Sequence, residues 1–339
     1  MTTYRSSGVD LEAAERAVDR ISDDVTATWG DEVVGGFGGF AAGIRLPAGY
    51  TRPVLMMSTD GVGTKADLAR RAGRLDGLGF DLVAMCIDDL AAAGARPLAM
   101  TDYLAVGELD VDVVSTLVRS VAAACAAAGV ALLGGETAEH PGVMPAGDFD
   151  LAGAALGVVE EGRQVDGSAV VPGDVVVGVA SPNLRSNGFS LVRAVLAGGP
   201  ALDDPLPGCG GTVAEVVLAP SVIYAPAIVD LVTAVEVHGM AHVTGGGLPG
   251  NVPRILPAGC DAFIETGSWE SPPVFAAIQR LGGVPDEEMY STFNMGIGFV
   301  VVLPPEAVMP AVALLAGRGH HASVIGAVTP GSSQAHLLT

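Results

Sequence analysis

The sequence predicts an α/β (α+β) protein made of two α/β halves of similar size, each with a mixed sheet. Short apolar runs of strand length alternate with helical segments along the whole chain. The 339 residues, half of them apolar, are enough for two domains with cores of their own. A stretch rich in glycine and proline, residues 160–174, interrupts the pattern near the middle. We therefore expect an N-terminal domain over residues 1–165, with a glycine-rich N-terminal lid, and a C-terminal domain over residues 170–339.

In the first half, four apolar runs have strand character. They lie at residues 54–59, 98–106, 130–133 and 151–159. Helices are predicted at 81–93, with Asp81 as the N-cap, and at 111–128. Gly94 and Gly129 follow these helices and suit the left-handed conformation of a C-terminal cap.

In the second half, strands and helices alternate again. The strands are predicted at residues 175–180, 237–243, 262–265, 299–303 and 323–325. The helices are predicted at residues 189–197, 222–234, 273–281 and 305–318.

The charge and the cysteines exclude several classes of function. A net charge of −21 argues against nucleic acid or an anionic membrane as a partner, because both require a basic surface. The four cysteines show no paired spacing and are expected to be free thiols of a reducing cytosol. The first residues lack the apolar core of a secretory signal, and the apolar stretch 121–135 is too short to span a bilayer. A cytoplasmic protein without a membrane partner is expected.

Lys65 is the only lysine beside sixteen arginines. It closes the run Ser58-Thr59-Asp60-Gly61-Val62-Gly63-Thr64-Lys65, directly after an apolar strand. Backbone N–H groups of such a strand-to-helix turn can face an anion, and a compact ammonium suits a phosphate differently from a guanidinium. The sequence therefore predicts a phosphate-binding turn with Lys65 in it, although a lysine left over by codon bias is the alternative.

Carboxylates are predicted to converge at one edge of the first sheet. Asp88 and Asp89 lie within an apolar helix, where a carboxylate is costly unless it is paired or binds a cation. Asp60 and Glu136 end neighbouring predicted strands. Mg²⁺ takes a few oxygen ligands beside phosphates, so at least two of these residues are predicted to bind it. The alternative for one of the two adjacent aspartates is a position facing solvent at the edge of the helix.

Three further glycine-rich loops lie beside strand ends. They are residues 35–40, which include Gly38 and Gly39; residues 134–137, with Gly134, Gly135 and Glu136; and residues 244–247, with Gly245 and Gly246. One glycine loop is weak evidence, but four in one chain favour a ligand with several anionic groups.

Polar residues also open a helix of the second half. Ser186, Asn187 and Gly188 precede it, with Arg185 before them; the side chains of Ser186 or Asn187 serve either as its cap or in an anion site. Asn251 and Arg254 follow the triple glycine. Among the histidines, His242 is the favoured pocket neighbour, whereas His320, His321 and His336 have no acidic or cysteine partner at metal spacing and are interpreted as surface residues.

Taken together, these segments resemble the phosphoribosylformylglycinamidine cyclo-ligase (aminoimidazole ribonucleotide synthetase) family. The matching runs occur in family order from end to end: YRSSGVD (4–10), GGFGGF (35–40), TDGVGTK (59–65), DLVAMCIDDL (81–90), LLGGETAEHPG (132–142), SNGFSLVR (186–193), TGGG (244–247) and TFNMGIG (292–298). So many motifs in order are far more specific than any single glycine loop.

The resemblance implies an ATP-dependent ring closure in purine biosynthesis. Formylglycinamidine ribonucleotide is converted to 5-aminoimidazole ribonucleotide: the formyl oxygen attacks the γ-phosphate of ATP, then a neighbouring nitrogen closes the ring and expels phosphate. It also implies a homodimer in which the N-terminal sheets pair, with active sites in clefts between the parts.

Site roles follow by matching position. Residues Asp60, Gly61, Val62, Gly63, Thr64 and Lys65 would cradle the triphosphate, with Asp89, Gly134, Gly135 and Glu136 also at the nucleotide. Asp60, Asp89 and Glu136 would bind Mg²⁺, and Lys65, Arg185 and Asn187 would be catalytic. The substrate would contact Gly38, Gly39, Ser186, Asn187, Gly245 and Gly246.

Two segments depart from the family pattern. Arg185 stands where many members have a histidine, and Arg5 and Ser6 stand where lysine and aspartate are usual. Arginine cannot transfer a proton but can stabilise a phosphoryl group. A relative that acts on selenium would need a reactive cysteine in the N-terminal glycine region, and the hydrogenase-maturation relative uses a C-terminal cysteine; this sequence has neither. Thiamine monophosphate kinases lack the combination of GGETAEHPG and SNGFSLVR that this sequence has. A nucleotide-binding sensor without turnover is the alternative outside enzymes.

Overall fold

The computed structural model describes residues 8–338, and the chain forms two compact units. The N-terminal unit comprises residues 8–90 and 96–161, and the C-terminal unit comprises residues 91–95 and 162–338. Arg5 and Ser6, as well as most of the motif at 4–10, lie outside the described residues.

The N-terminal unit is a four-stranded mixed sheet with helices. Its elements are α1 (Leu11–Thr26), β1 (Val33–Val34), β2 (Gly43–Ile44), β3 (Pro53–Gly61), α2 (Lys65–Ala72), α3 (Leu78–Ala92), β4 (Arg96–Val106), α4 (Val111–Ala128), β5 (Ala131–Glu139) and β6 (Phe149–Glu160). The strand order is β3-β6-β4-β5, in which β6 is antiparallel to both neighbours and β4 and β5 are parallel. β1 and β2 form a separate antiparallel pair.

The predicted strands and helices of this half are confirmed. The helix predicted at 111–128 has those bounds, with Asp110 accepting backbone N–H groups at its start and Gly129 at φ 66° at its end. Two expectations are wrong in detail. α3 begins at Leu78, so Asp81 lies inside the helix and is not its N-cap. Residues 134–137 do not follow the third strand but lie within β5, because the parallel pairing with β4 continues to Glu139.

Close packing of α3 and α4 depends on one glycine. A Cβ at Gly79 would lie 2.1 Å from the carbonyl carbon of Ser120, so only glycine permits this approach. Within residues 8–338, α4 alone is long and apolar enough to cross a membrane by length and composition, and half of that span is buried in the structure. Core helices of globular proteins meet the same test, so α4 is weak evidence for a membrane span.

The C-terminal unit contains a six-stranded mixed sheet. Its elements are β7 (Val175–Ala180), α5 (Phe189–Leu196), α6 (Val213–Val217), α7 (Ala225–Ala234), β8 (Gly239–His242), α8 (Gly247–Asn251), β9 (Cys260–Glu265), α9 (Pro273–Gly282), α10 (Asp286–Thr292), β10 (Ile297–Leu303), α11 (Val308–Gly317), β11 (Ala322–Pro330) and β12 (Ala335–Leu338). Short 3₁₀ turns lie at Val252–Ile255, Thr266–Ser268 and Pro305–Ala307. The strand order is β12-β9-β11-β7-β10-β8, with β12 parallel to β9 and the other pairs antiparallel.

The core of this unit is an aliphatic layer against the sheet. Every residue of β10 is buried, and valines and isoleucines of β7, β9 and β11 pack with Leu248 and Val252. Burial of this apolar surface stabilises the sheet at roughly 25 cal/mol per Å². All five strands and four helices predicted for this half are confirmed, with bounds that differ by a few residues. The mixed α/β class predicted from the sequence is therefore correct.

Candidate functional site

The turn after β3 carries the first predicted site residues. Asp60 and Gly61 end β3, Gly63 has a left-handed φ of 67°, and Thr64 is the N-cap of α2. The Asp60 carboxylate is exposed, and its Oδ1 accepts the N–H of Gly61 at 2.7 Å. Val62 is buried and fastens the turn to β6 through its N–H, which donates to the carbonyl of Leu151 at 2.9 Å.

Lys65 is buried rather than exposed to an open cleft. Its side chain has no exposed surface, and its Nζ lies 2.7 Å from Oδ2 of Asp81, which is equally buried. The lone lysine thus has an internal counterion on α3. A pair of buried charges is tolerated only when the partners neutralise each other at short range, which this geometry provides.

Asp60 and Asp89 are brought to the same side of the sheet. Burial raises the pKa of the Cys86 thiol to about 12, and the charges of both carboxylates add to that rise. Cys86 lies on α3 beneath β6, where its thiol contacts the carbonyl of Gly153 at 3.6 Å. Asp88 is fully buried whereas Asp89 is exposed. This agrees with the alternative that one of the two adjacent aspartates faces solvent.

Glu136 lies apart from that pair. It is exposed on β5, opposite Tyr103 of β4, and its Oε1 accepts the N–H of Thr137 at 2.9 Å. Side chains alternate along a strand, so Glu136 and Tyr103 project from the face opposite to Asp102 and Gly135. Among residues 8–338 no three His, Cys, Asp or Glu side chains form a group that could hold a metal ion.

A cavity of about 550 Å³ connects several of the predicted glycine segments. Its wall is formed by α1, the start of α4 and the glycine-rich segment 36–42, and its floor by β4 and β5. The predicted residues Gly38, Gly39, Gly134, Gly135 and Glu136 line it. Asp102 lines it too, although it is not among the site residues predicted from the sequence. An aspartate in the middle of the apolar strand 98–106 was the available signal.

The turn before α5 holds Arg185 in the interior. Arg185 is fully buried, has a left-handed φ of 59°, and its guanidinium carbon lies 4.7 Å from the centre of the Tyr224 ring. Oδ1 of Asn183 accepts the backbone N–H of Arg185 at 2.9 Å. Because a non-glycine residue with positive φ is strained, the surrounding contacts must enforce this conformation.

Gly188, not Ser186 or Asn187, caps α5. Gly188 is the N-cap with φ 76°, so neither Ser186 nor Asn187 occupies the N-cap position. Oδ1 of Asn187 is buried and makes no hydrogen bond with any described residue. A buried acceptor without a hydrogen bond destabilises the folded chain, and a donor group of a ligand could supply that hydrogen bond.

The triple-glycine turn lies against the same segment as the turn before α5. A Cβ at Gly247 would lie 1.9 Å from the carbonyl oxygen of Tyr290, and one at Gly188 would lie 2.3 Å from the Phe293 ring. The buried amide of Asn251 holds the turn by donating to three of its carbonyls, at 2.9 Å to that of Gly247. Three motif segments of the C-terminal unit, at 186–188, 244–247 and 292–294, therefore meet.

The histidines and cysteines are placed as follows. His242 is buried on β8 and stacks on Phe299, with 6.2 Å between ring centres. His336 has a side chain that is 42% exposed, and its Nε2 lies 2.9 Å from Oδ2 of Asp261, an acidic partner that is not at metal spacing in the sequence. The two residues lie 75 positions apart and are brought together by the pairing of β9 with β12, so the local sequence around His336 does not predict this contact. All four cysteines are free, as expected.

Two family models match the chain. The model "AIR synthase related protein, N-terminal domain" matches residues 40–159, and "AIR synthase related protein, C-terminal domain" matches residues 171–338. A phosphoribosylformylglycinamidine cyclo-ligase of Myxococcus xanthus is 46% identical over 337 residues, which are 98% of this chain and 98% of that protein. The cyclo-ligase of Sorangium cellulosum is 48% identical over 330 residues, which are 96% of this chain and 95% of that protein.

Solved structures share the fold at low identity. A thiamine-monophosphate kinase of Stenotrophomonas maltophilia has a TM-score of 0.69 at 19% identity and covers 94% of this chain and 95% of its own. The hydrogenase maturation protein HypE, in complex with ATP, has a TM-score of 0.67 at 19% identity and covers 96% of this chain and 89% of its own. These likenesses support the fold alone.

Proposed function

Because this chain belongs to the AIR synthase related family, we infer that it catalyses the phosphoribosylformylglycinamidine cyclo-ligase reaction of purine biosynthesis. The observation that carries this inference is the near-complete alignment with curated cyclo-ligases, which spans both domains. The substrate is then formylglycinamidine ribonucleotide, and the products are 5-aminoimidazole ribonucleotide, ADP and phosphate. A phosphorylated metabolite as substrate is consistent with a cytoplasmic location, which is part of the proposal.

The reaction requires positioning and charge neutralisation more than covalent help from the protein. The formyl oxygen attacks the γ-phosphate of ATP, the β–γ phosphate bond breaks, and a substrate nitrogen then forms the ring bond as phosphate leaves. An amide oxygen is a poor nucleophile, so the acceleration must come from alignment and from stabilisation of the phosphoryl charge.

We assign the triphosphate to the turn Asp60–Lys65. Gly63 in its left-handed conformation opens the turn, and the start of α2 adds the positive end of a helix dipole. The buried ion pair between Lys65 and Asp81 supports a second role for Lys65, which is to fix α2 against α3 and so hold this turn in shape. Gly134, Gly135 and the segment 36–42 are proposed to complete the nucleotide and substrate pocket in this unit.

We propose that Arg185, Asn187 and the triple-glycine turn serve the ribonucleotide from the C-terminal unit. The buried Oδ1 of Asn187 supports this assignment, because a hydroxyl or amide N–H of the substrate would satisfy it. Ser186, Gly245 and Gly246 belong to the same group of turns. The stacking of Arg185 on Tyr224 supports an electrostatic role from a fixed position rather than a mobile side chain.

Mg²⁺ fits two of the three proposed carboxylates. Asp60 and Asp89 lie on one side of the sheet and both act on Cys86, and Mg²⁺ commonly uses one or two carboxylates together with phosphates and water. When bound, the ion would neutralise charge on the triphosphate. Glu136 projects from the other face, so its assignment as a ligand stays a prediction without support from the geometry of one chain.

We also propose a homodimer formed through the four-stranded sheet. Leu55 and Met57 of β3 and Tyr103 of β4 lie on the face of this sheet from which Glu136 projects, and they are 53%, 75% and 42% exposed. Such an exposed apolar sheet face typically marks an interface. A second copy of the chain would cover it with the same residues, as two-fold symmetry requires.

Turnover by the purified protein tests the proposed reaction. With ATP, Mg²⁺ and formylglycinamidine ribonucleotide, we expect aminoimidazole ribonucleotide and ADP in equal amounts. Asp89→Asn should lower the turnover number by about tenfold or more while leaving the protein folded. Nucleotide binding without any ring product would contradict the proposal and favour a sensor.

A further inference from the structure

Asp102 is a buried acid in the middle of β4. It is 8% exposed, and the pairing of the strands places it in one row with Asp60, Gly153 and Gly135 across the sheet. Its carboxylate faces the helices, where its charge acts on Cys125 of α4. Gly153 separates it from Asp60 by two strand spacings, roughly 9–10 Å, so the two carboxylates do not touch.

The surroundings of this carboxylate offer it little compensation. Burial raises the pKa of Asp102 to about 7, and its own backbone N–H is the hydrogen-bond donor that opposes the rise. Its neighbours in the row are glycines, and its charge acts on the thiol of Cys125 on α4. A buried carboxylate without a cation or several donors destabilises the folded chain.

Three other buried acids of this protein have a basic partner. Asp81 pairs with Lys65 at 2.7 Å, Asp174 with Nδ1 of His238 at 2.8 Å, and Asp261 with Nε2 of His336 at 2.9 Å. Asp102 instead lines the cavity bounded by α1, segment 36–42 and β5. The cavity is therefore the place from which a partner can come.

The Asp102 carboxylate packs directly over a glycine. A Cβ at Gly135 would lie 2.2 Å from Oδ1 of Asp102, so any other residue there would displace the carboxylate. Gly134 and Gly135 also line the cavity and add no side chains of their own beside Asp102. A flat group could therefore approach the carboxylate.

Building on the proposed cyclo-ligase function, we propose that Asp102 is a further substrate-binding residue, which pairs with the amidinium group of formylglycinamidine ribonucleotide in this cavity. An amidine is a strong base and carries a positive charge at neutral pH. It is planar and presents two N–H groups side by side, which match the two oxygens of a carboxylate in the bidentate manner of arginine. The ion pair would supply the cation that the buried acid lacks.

The pairing also gives a reason for selectivity. The amide analogue, formylglycinamide ribonucleotide, has an oxygen in place of one amidine nitrogen, so it is neutral and would turn an acceptor toward the carboxylate. A site with a buried carboxylate should reject this analogue because two acceptors would face each other. Asp102 would thus make the enzyme select the amidine over its amide.

The test compares amidine and amide binding in three full-length proteins by titration calorimetry. Wild type should bind the amidine more tightly than the amide by about tenfold or more, and Asp102→Asn should reduce this ratio to about one. ATP affinity should stay within about twofold of wild type. Asp174→Asn, which removes a buried acid of the C-terminal unit, is the control and should keep the wild-type ratio.

Thermal unfolding of the same proteins separates binding from a structural role. Asp102→Asn removes a poorly compensated buried charge, so its melting temperature should equal or exceed that of wild type, whereas Asp174→Asn should melt lower. Asp102→Ser serves as a second variant that removes the carboxylate without adding volume.

Three results would overturn the inference. An unchanged amidine-to-amide ratio in folded Asp102→Asn and Asp102→Ser would leave Asp102 outside the substrate site. Unfolding of both variants would show that the fold itself needs the carboxylate. A wild-type protein that turns over the amidine but binds the amide as tightly as the amidine would also exclude the proposed role of Asp102. No binding or turnover of the amidine by wild type would instead defeat the proposed function.

Discussion

Lys65 shows how one residue can look like a ligand and also serve the fold. Its lone occurrence and its glycine-bearing turn indicated a phosphate contact, and the structure places its ammonium against Asp81 with no exposed surface. The two roles are compatible, because a residue that locks the turn also determines where its backbone N–H groups point. Stability and turnover measurements separate them.

Replacing Lys65 by Met should leave the Asp81 charge buried without its counterion. We expect a loss of about 3–5 kcal/mol in the free energy of unfolding, measured with urea. The double variant Lys65→Met/Asp81→Leu should recover most of this loss, because no buried charge remains. A double variant no more stable than Lys65→Met would show that the pair does not govern stability.

Lys65→Arg should stay folded and turn over about tenfold more slowly, since the larger guanidinium does not fit the site of an ammonium.

Arg185 should be coupled energetically to Tyr224. The guanidinium lies over the ring, and a desolvated contact of this kind contributes about 0.5–2 kcal/mol. In a double-mutant cycle with Arg185→Met and Tyr224→Leu, we expect a coupling energy of that size in the free energy of unfolding. Additive effects of the two substitutions would argue against the contact.

In activity assays Arg185→His should retain more turnover than Arg185→Met and gain a pH dependence near neutrality.

At the scale of elements, short polar clusters fasten the starts of strands. Asp174 directly precedes β7 and His238 directly precedes β8, and the two strands flank β10. Oδ2 of Asp174 also accepts the N–H of Val171 at 2.9 Å. One buried carboxylate thus joins two strand starts that are far apart in sequence.

The His238 cluster should make stability depend on pH. Burial lowers the pKa of His238, but hydrogen bonds and charges from Asp174 and Glu236 outweigh it, so the pKa lies above the ordinary 6.5. The stabilisation is therefore fully present below pH 6.5 and is lost as the pH rises through the raised folded-state value. In urea unfolding, wild type should lose stability over this window, and His238→Gln should show a flatter profile there. Parallel profiles for the two proteins would contradict the assignment.

At the scale of the whole molecule, the open sheet face should determine the oligomeric state. Sedimentation velocity at micromolar concentration should give a dimer for wild type and a monomer for Met57→Lys, because a charge would be buried at the centre of the interface. Met309→Lys is the matched control: Met309 is 74% exposed on α11, close to the 75% of Met57, and its replacement should leave the dimer intact. A monomeric wild type would exclude the proposed interface.

The sequence by itself determined the family and most of the longer strands and helices from β3 onward. Runs such as 175–180 and 111–128 have clear periodicity and flanking caps, so their bounds could be read locally. Other elements were not predicted, among them the sixteen-residue helix α1, although Asp10 caps its start. The short strands β1 and β2 and the four-residue β12 depend on pairing partners rather than on their own sequence.

Tertiary structure alone decided what the site residues face. Lys65 and Asp81 lie sixteen positions apart, and their pairing depends on how α2 packs on α3. Strand register placed Glu136 on one face of the sheet and Asp102, with Asp60, on the other. Local sequence specifies backbone preference and apolar period, whereas the surroundings of a charge depend on residues brought together by pairing and packing. Asp102 is an aspartate in an apolar strand by sequence, and only the fold gives it a cavity to face.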